Sequence, residues 1–102
     1  MRLTMDQNII NHQYVFHNIM EDIVVAKARD VVSRMDICQC DKCFADICAL
    51  TLNKLDPKYV TTENGGLMAK LPEMDPRKEL ALTVLLSQSA KMVQERPSHL
   101  ID

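Results

Sequence analysis

The spacing of hydrophobic residues predicts a first amphipathic helix over residues 11–35. Its apolar positions recur at steps of three and four residues between charged ones, as on one face of a helix. They are Phe16, Ile19, Met20, Ile23, Val24, Val31 and Met35. Residues 1–10 lack this period, so we expect them to form a flexible arm of a single domain that covers residues 1–102.

A second helix is predicted from Asp41 to about Leu55. Asp41 suits the N-cap position because its carboxylate can accept hydrogen bonds from backbone N–H groups of the first turn. The helix should end before Asp56 and Pro57, since the residue that precedes a proline avoids the α region.

The chain between residues 58 and 75 is predicted to be irregular. Residues 58–62 favour an extended or turn conformation, and residues 64–66 (Asn-Gly-Gly) a turn or mobile loop. A last helix should then start with Asp75 as N-cap and Pro76 at its first position, and stop at Pro97. We interpret Glu73 as a solvent-exposed residue at the entry to this helix.

Apolar residues surround more of this last helix than the stripe that a surface helix needs. They are Leu80, Leu82, Val84, Leu85, Leu86, Ala90, Met92 and Val93. Three helices offer few partners for so wide an apolar surface, and we therefore predict a homodimer.

The composition favours an all-α fold. The chain has 102 residues, 47% of them hydrophobic, with no Trp and only two Gly, which argues against a barrel or sandwich that needs many tight turns. The net charge of −2, without a dense run of Lys or Arg, disfavours nucleic-acid binding. The first twenty residues contain neither a signal-peptide core nor a membrane span, so we expect a cytoplasmic protein that does not bind membranes.

The candidate chemistry lies where the first two helices meet. Cys38, Cys40 and Cys43 form a C-x-C-x-x-C cluster, and in a reducing compartment such cysteines remain thiols or thiolates. Three thiolates on one turn supply three of the four ligands of a structural zinc site. Cys48 is rotated by about 140° along the helix from Cys43 and fits a core position better, so His99 is our candidate for the fourth ligand.

Other interpretations of the cluster remain open. Cys40 and Cys43 could form a redox pair, although the βαβ setting of thioredoxin-type motifs is missing, or the thiols could be incidental. The sequence contains no recognisable nucleophile motif and no phosphate-binding glycine loop. Catalysis therefore finds little support.

Several motifs together resemble the bacterial late competence development protein ComFB family over about residues 14–100. They are the cysteine cluster followed by Asp46, the run Ala49-Leu50-x-Leu52-Asn53-Lys54, the run Pro57-x-Tyr59-Val60-Thr61, and Leu85, Ser89, Ala90 and Pro97.

The resemblance implies a small α-helical homodimer that binds zinc through the cysteine cluster and a C-terminal residue and lacks known enzymatic activity. Some members of the family are receptors for cyclic dinucleotides, which implies a signalling role linked to competence. A C-terminal cysteine expected near Ile101 is absent here. His99 or a water molecule would therefore complete the metal site.

A cyclic-dinucleotide receptor needs cations for two phosphates and a group that stacks on a base. Lys58, Tyr59 and Thr61, with Arg77 or Lys70, could supply them across a dimer axis. Alternatively, Tyr59 only anchors a turn and Lys58 is a solvated charge. A second functional class is an interaction module for an unknown protein partner, with which the seven methionines are compatible; an enzyme is the third and the least supported.

Overall fold

The structure, a computed structural model, describes residues 15–97. The described chain contains two short strands, four α-helices and one turn of 3-10 helix. In order, they are β1 His17–Asn18, α1 Ile19–Ser33, α2 Asp41–Leu52, β2 Tyr59–Val60, α3 Glu63–Lys70, the 3-10 turn Leu71–Met74, and α4 Pro76–Glu95. The expected arm at residues 1–10 and the candidate ligand His99 lie outside the described residues.

The prediction of an all-α fold needs one correction. The described residues are mostly helical, but β1 and β2 form a two-stranded antiparallel sheet in which His17 lies opposite Val60 and Asn18 opposite Tyr59. Such a short pairing leaves little local signal in the sequence, because it joins segments about forty residues apart. The extended conformation expected near Tyr59 is confirmed.

Asn18 explains why α1 begins at Ile19 and not at residue 11. Its side-chain oxygen accepts a hydrogen bond from the backbone N–H of Met20 at 3.1 Å, as an N-cap does, and another from the backbone N–H of Lys58 at 2.8 Å. The N–H of Ile19 also donates to the carbonyl of Lys58 at 2.8 Å. The chain before the helix is therefore held extended against β2.

The core lies between α1, α2 and α4. Its buried apolar members include Val24, Ala28, Val31, Val32, Cys43, Ile47, Cys48, Leu86, Ala90 and Val93. One polar contact crosses this core, where the hydroxyl of Thr51 donates to the hydroxyl of Ser89 at 2.9 Å. Both residues are fully buried, and a buried hydroxyl pair that is satisfied in this way fixes the register of α2 against α4.

The prediction of a turn or mobile loop at residues 64–66 is wrong, because these residues lie inside α3. Thr62 caps the helix by accepting a hydrogen bond from the N–H of Gly65 at 2.9 Å. Gly66 is buried, and a Cβ there would lie 3.7 Å from the side chain of Ile19. Capping and packing thus outweigh the cost of about 1 kcal/mol that each glycine adds to a helix.

The prediction for α4 is confirmed. Asp75 accepts a hydrogen bond from the backbone N–H of Arg77 at 3.0 Å, Pro76 is the first helical residue, and the helix ends at Glu95, two residues before Pro97. None of the helices in the described residues has the length and apolar character that crossing a membrane would require.

Candidate metal centre and neighbouring groove

Cys40 is the N-cap of α2, which corrects our prediction of Asp41 at this position. Its backbone is extended (φ −73°, ψ 159°), and its sulfur accepts a hydrogen bond from the N–H of Cys43 at 3.4 Å. Asp41 is the first helical residue, where its negative charge lies near the positive end of the helix dipole. The helix start thus fixes two of the three clustered cysteines relative to each other.

The sulfurs of Cys38, Cys40 and Cys43 all lie within 4.8 Å of one another. In a tetrahedral zinc site, bonds of about 2.3 Å place the sulfur atoms roughly 3.8 Å apart, so small movements would bring all three to one ion. Cys43 is buried and the other two are partly buried. The donor set and its geometry therefore fit zinc.

The environments of two of these thiols differ. The N–H of Cys43 donates to the sulfur of Cys40 and lowers the pKa of Cys40. Burial raises the pKa of Cys43 to about 12, and hydrogen bonding with the thiols of Cys40 and Cys38 adds to this effect. Three thiolates so close together need a cation between them, which a divalent metal ion would provide.

Cys48 lies in the core, as expected, and apart from the three clustered sulfurs. It is 6% exposed, and burial raises its pKa despite the opposing charge of Arg29. The prediction that His99 is the fourth ligand stays open. The structure does bring the end of α4 to the cluster, where the side-chain oxygen of Gln94 accepts a hydrogen bond from the N–H of Cys38 at 3.1 Å.

The candidate ligand-binding residues do not line a single cavity. Lys58 lines a groove of about 770 Å³, whereas Thr61 lines a depression of about 500 Å³ beside β2. Tyr59 is 58% exposed, and its ring packs edge-on against Phe16 with 5.7 Å between centroids. Arg77 is exposed in the first turn of α4.

The prediction that Glu73 is a solvent-exposed residue is wrong. Its side chain is only 13% exposed, and its carboxylate accepts hydrogen bonds from Lys58 and, at 3.3 Å, from Lys78. The contact with Lys58 lowers the pKa of Glu73, with a smaller contribution from Lys78. Glu73 and Lys58 are fifteen residues apart, so no local spacing could have indicated this pair.

Lys58, Glu73 and Lys78 line a groove of about 770 Å³ between α1, the loop after α2, and α4. We call it the apolar groove, since most of the surface that lines it is apolar. Its large hydrophobic lining residues are Met20, Ile23, Leu55, Met74, Leu82 and Leu85. The groove combines these side chains with charged groups, a pattern typical of small-molecule sites.

Known proteins are similar to this chain in sequence and fold. A competence protein, ComFB, from Bacillus subtilis (strain 168) is 41% identical over 63 residues, which are 62% of this chain and 64% of that relative, so the alignment spans slightly less than two thirds of the relative's length. A solved structure of the late competence protein ComFB from Bacillus subtilis superposes with a TM-score of 0.75 at 32% identity and covers 81% of this chain and 92% of that one.

The family resemblance that the motifs indicated is confirmed by a family model. The model for the late competence development protein ComFB matches residues 17–97, which include all of α1 to α4 and the cysteine cluster. The chain therefore belongs to the late competence development protein ComFB family.

Proposed function

We propose that this chain is a non-catalytic regulatory protein linked to competence, with a zinc ion bound where α1, α2 and the end of α4 meet. The observation that carries the proposal is the approach of three cysteine sulfurs to within 4.8 Å of one another. Zinc in a four-coordinate structural site contributes folding free energy. The ligands are Cys38, Cys40 and Cys43, with His99 as the fourth.

The hydrogen bond between Cys38 and Gln94 supports His99 as that ligand. His99 follows Gln94 by five residues, a stretch that spans at most roughly 17 Å when extended. The chain after α4 thus starts beside the cluster. A water molecule in the fourth position is the alternative, and His99→Ala separates the two, because only a histidine ligand would make zinc affinity depend on this residue.

A homodimer is part of the proposal. Leu80, Val84 and Met92 of α4 are 66%, 49% and 49% exposed in the single chain, and a second copy would cover them. Leu80→Asp should shift the protein from dimer to monomer in sedimentation at micromolar concentration. The matched change Ala49→Asp, at an exposed position of α2, should leave the dimer intact. A monomeric wild type would contradict this part of the proposal.

The proposed ligand is a cyclic dinucleotide. Lys58 carries a cation that lines the apolar groove, and Tyr59 next to it presents an exposed ring for stacking. Thr61 and Arg77 would complete the site across the dimer axis, which repeats the groups with the two-fold symmetry of the ligand. Binding requires the ligand phosphate to compete with Glu73 for Lys58.

Calorimetric titration with cyclic di-GMP and cyclic di-AMP tests this ligand. Lys58→Ala should weaken binding about tenfold or more, since a hydrogen bond to a charged group contributes about 1.5 to 3 kcal/mol. Tyr59→Ala should have a similar effect, since stacking of a base on an aromatic ring contributes about 1 to 3 kcal/mol. Lys54→Ala, at an exposed lysine in the turn after α2, is the control and should leave the affinity unchanged. Equal affinity in the wild type and all variants would mean that Lys58 and Tyr59 are not part of the binding site.

A second candidate function is that of a protein-interaction module without a nucleotide ligand. The observation in its favour is a group of exposed large hydrophobic side chains that follow one another along the chain, namely Leu67, Met68, Leu71, Met74 and Leu80. Large exposed apolar side chains of this kind supply surface that a partner protein can bury. Failure of the wild type to bind either cyclic dinucleotide would favour this function.

A further inference from the structure

Two glutamine side chains hold the loop that carries the first two cysteines. The amide nitrogen of Gln39 donates to the carbonyl of Val32 at 2.9 Å, and to those of Met35 and Ile37 at 3.2 Å each. Val32 lies in the last turn of α1, where its carbonyl also accepts a hydrogen bond from the backbone N–H of Met35 at 3.0 Å and carries part of the negative charge of the helix end. Gln39 thus caps the C-terminal end of α1 and connects the loop to it by hydrogen bonds.

Gln94 holds the same loop from the side of α4. Its amide oxygen accepts a hydrogen bond from the backbone N–H of Cys38 at 3.1 Å, across 56 positions of the chain. The two glutamines act through opposite groups, because Gln39 donates through its nitrogen whereas Gln94 accepts through its oxygen.

The position of Gln39 between two cysteines has a geometric consequence. The sulfurs of Cys38 and Cys40 already lie within 4.8 Å of the sulfur of Cys43. Gln39 lies between Cys38 and Cys40 in the chain, and its side chain reaches back to the end of α1. Anchoring Gln39 therefore restrains the backbone that carries both of these cysteines.

We propose that Gln39 and Gln94 are positioning residues that hold Cys38 and Cys40 in their ligating arrangement before the metal ion binds. The inference rests on the zinc site of the proposed function. Without these hydrogen bonds, the loop would have to be ordered when zinc binds, and this loss of conformational freedom would reduce the affinity. Loss of groups that orient metal ligands typically costs about 10- to 100-fold in metal affinity.

The same substitution at both positions distinguishes the two roles. Gln39→Glu removes the donor at constant size and turns a carboxylate toward three carbonyl groups, so we expect zinc affinity to fall about tenfold or more. Gln94→Glu keeps an oxygen that can accept from Cys38 and should stay within about threefold of the wild type. Gln94→Leu removes the acceptor and should lose about tenfold. Gln88→Glu, at an exposed glutamine of α4, is the control for added charge.

The measurements are zinc affinity by competition with a chromophoric chelator, the sulfur-to-cobalt charge-transfer band of the Co²⁺ form, and the thermal stability of the metal-free protein. A positioning role predicts a loss of zinc affinity in Gln39→Glu that exceeds any change in metal-free stability, with a weaker or shifted cobalt band.

Wild-type zinc affinity in both Gln39→Glu and Gln94→Leu would overturn the inference while leaving the zinc site itself intact. Equal losses in the two Glu variants would overturn it as well, since charge and not hydrogen bonding would then be responsible. A wild type that binds no zinc would instead refute the proposed metal site, and the inference with it.

Discussion

The helical core and the connecting segment differ sharply in how they bury their apolar residues. We call α1, α2 and α4 from residue 81 onward the helical core. It contains nearly all of the buried hydrophobic side chains, and the cysteine cluster lies at one end of it. The connecting segment, residues 53–80, buries only Gly66. It exposes six large hydrophobic side chains, namely Tyr59, Leu67, Met68, Leu71, Met74 and Leu80.

This difference separates the parts that maintain the fold from the parts that are available for binding. Burial of apolar surface supplies most of the favourable free energy of folding, and it is concentrated in the helical core. The connecting segment is attached to α1 and the residue before it through polar contacts, such as those of Lys58 with Asn18 and of Lys70 with Asp22. We therefore expect substitutions in the core to change stability and substitutions in the connecting segment to change binding.

Removal of the metal should have the largest effect. At a free zinc concentration a thousand times its dissociation constant, bound zinc adds about 4 kcal/mol to the free energy of unfolding, and its removal should cost this amount. Denaturant unfolding of Cys43→Ser, with and without a chelator, should show this loss and no response to the chelator. Cys48→Ala is the control, which should keep its chelator response and lose about 1 kcal/mol through packing. Equal chelator responses in the wild type and Cys43→Ser would argue against a stabilising metal site.

Two leucines of α4 give an intermediate effect that tests the contrast directly. Leu86 is fully buried in the helical core, whereas Leu80 is 66% exposed in the connecting segment. Leu86→Ala should cost about 3 kcal/mol because it leaves a cavity, and Leu80→Ala should change the unfolding free energy of the dissociated chain by about 0.5 kcal/mol or less. Comparable losses in the two variants, measured by denaturant unfolding at a concentration at which the chain is monomeric, would mean that an intramolecular contact buries Leu80.

The smallest effect is expected from the ion pairs of Glu73. Because Lys58 and Lys78 lower its pKa in the folded state, Glu73 contributes stability above its ordinary pKa of 4.5 and loses it as the pH falls through the lower folded value. Glu73→Gln should therefore be less stable than the wild type at pH 7, by about 1 kcal/mol or less. This difference should shrink below pH 4.5. A difference that does not depend on pH would mean that Glu73 stabilises the fold through packing and not through its charge.

Local signals in the sequence were enough to predict part of this molecule. The start of α4 was predictable because Asp75 and Pro76 are adjacent in the chain, and the cysteine cluster because its three members fall within six positions. The family followed from several such motifs together.

The remaining features depend on contacts between distant residues. Residues 65 and 66 were predicted as a turn because both are glycine. They are helical in the structure because Thr62 caps their helix and Gly66 packs against Ile19. The strand before α1 depends on Asn18, forty positions from Lys58. Similarly, the burial of Glu73 depends on Lys58, and the position of the cysteine loop depends on Gln94.

The number of zinc ions per chain is the most direct test of the central claim that Cys38, Cys40 and Cys43 hold a structural metal. Metal analysis of protein purified without chelator should give about one zinc per wild-type chain, as one four-ligand site requires. Cys48→Ala should give the same value, whereas Cys40→Ser should give markedly less. A wild type without zinc, or a Cys40→Ser variant with full zinc content, would contradict the claim.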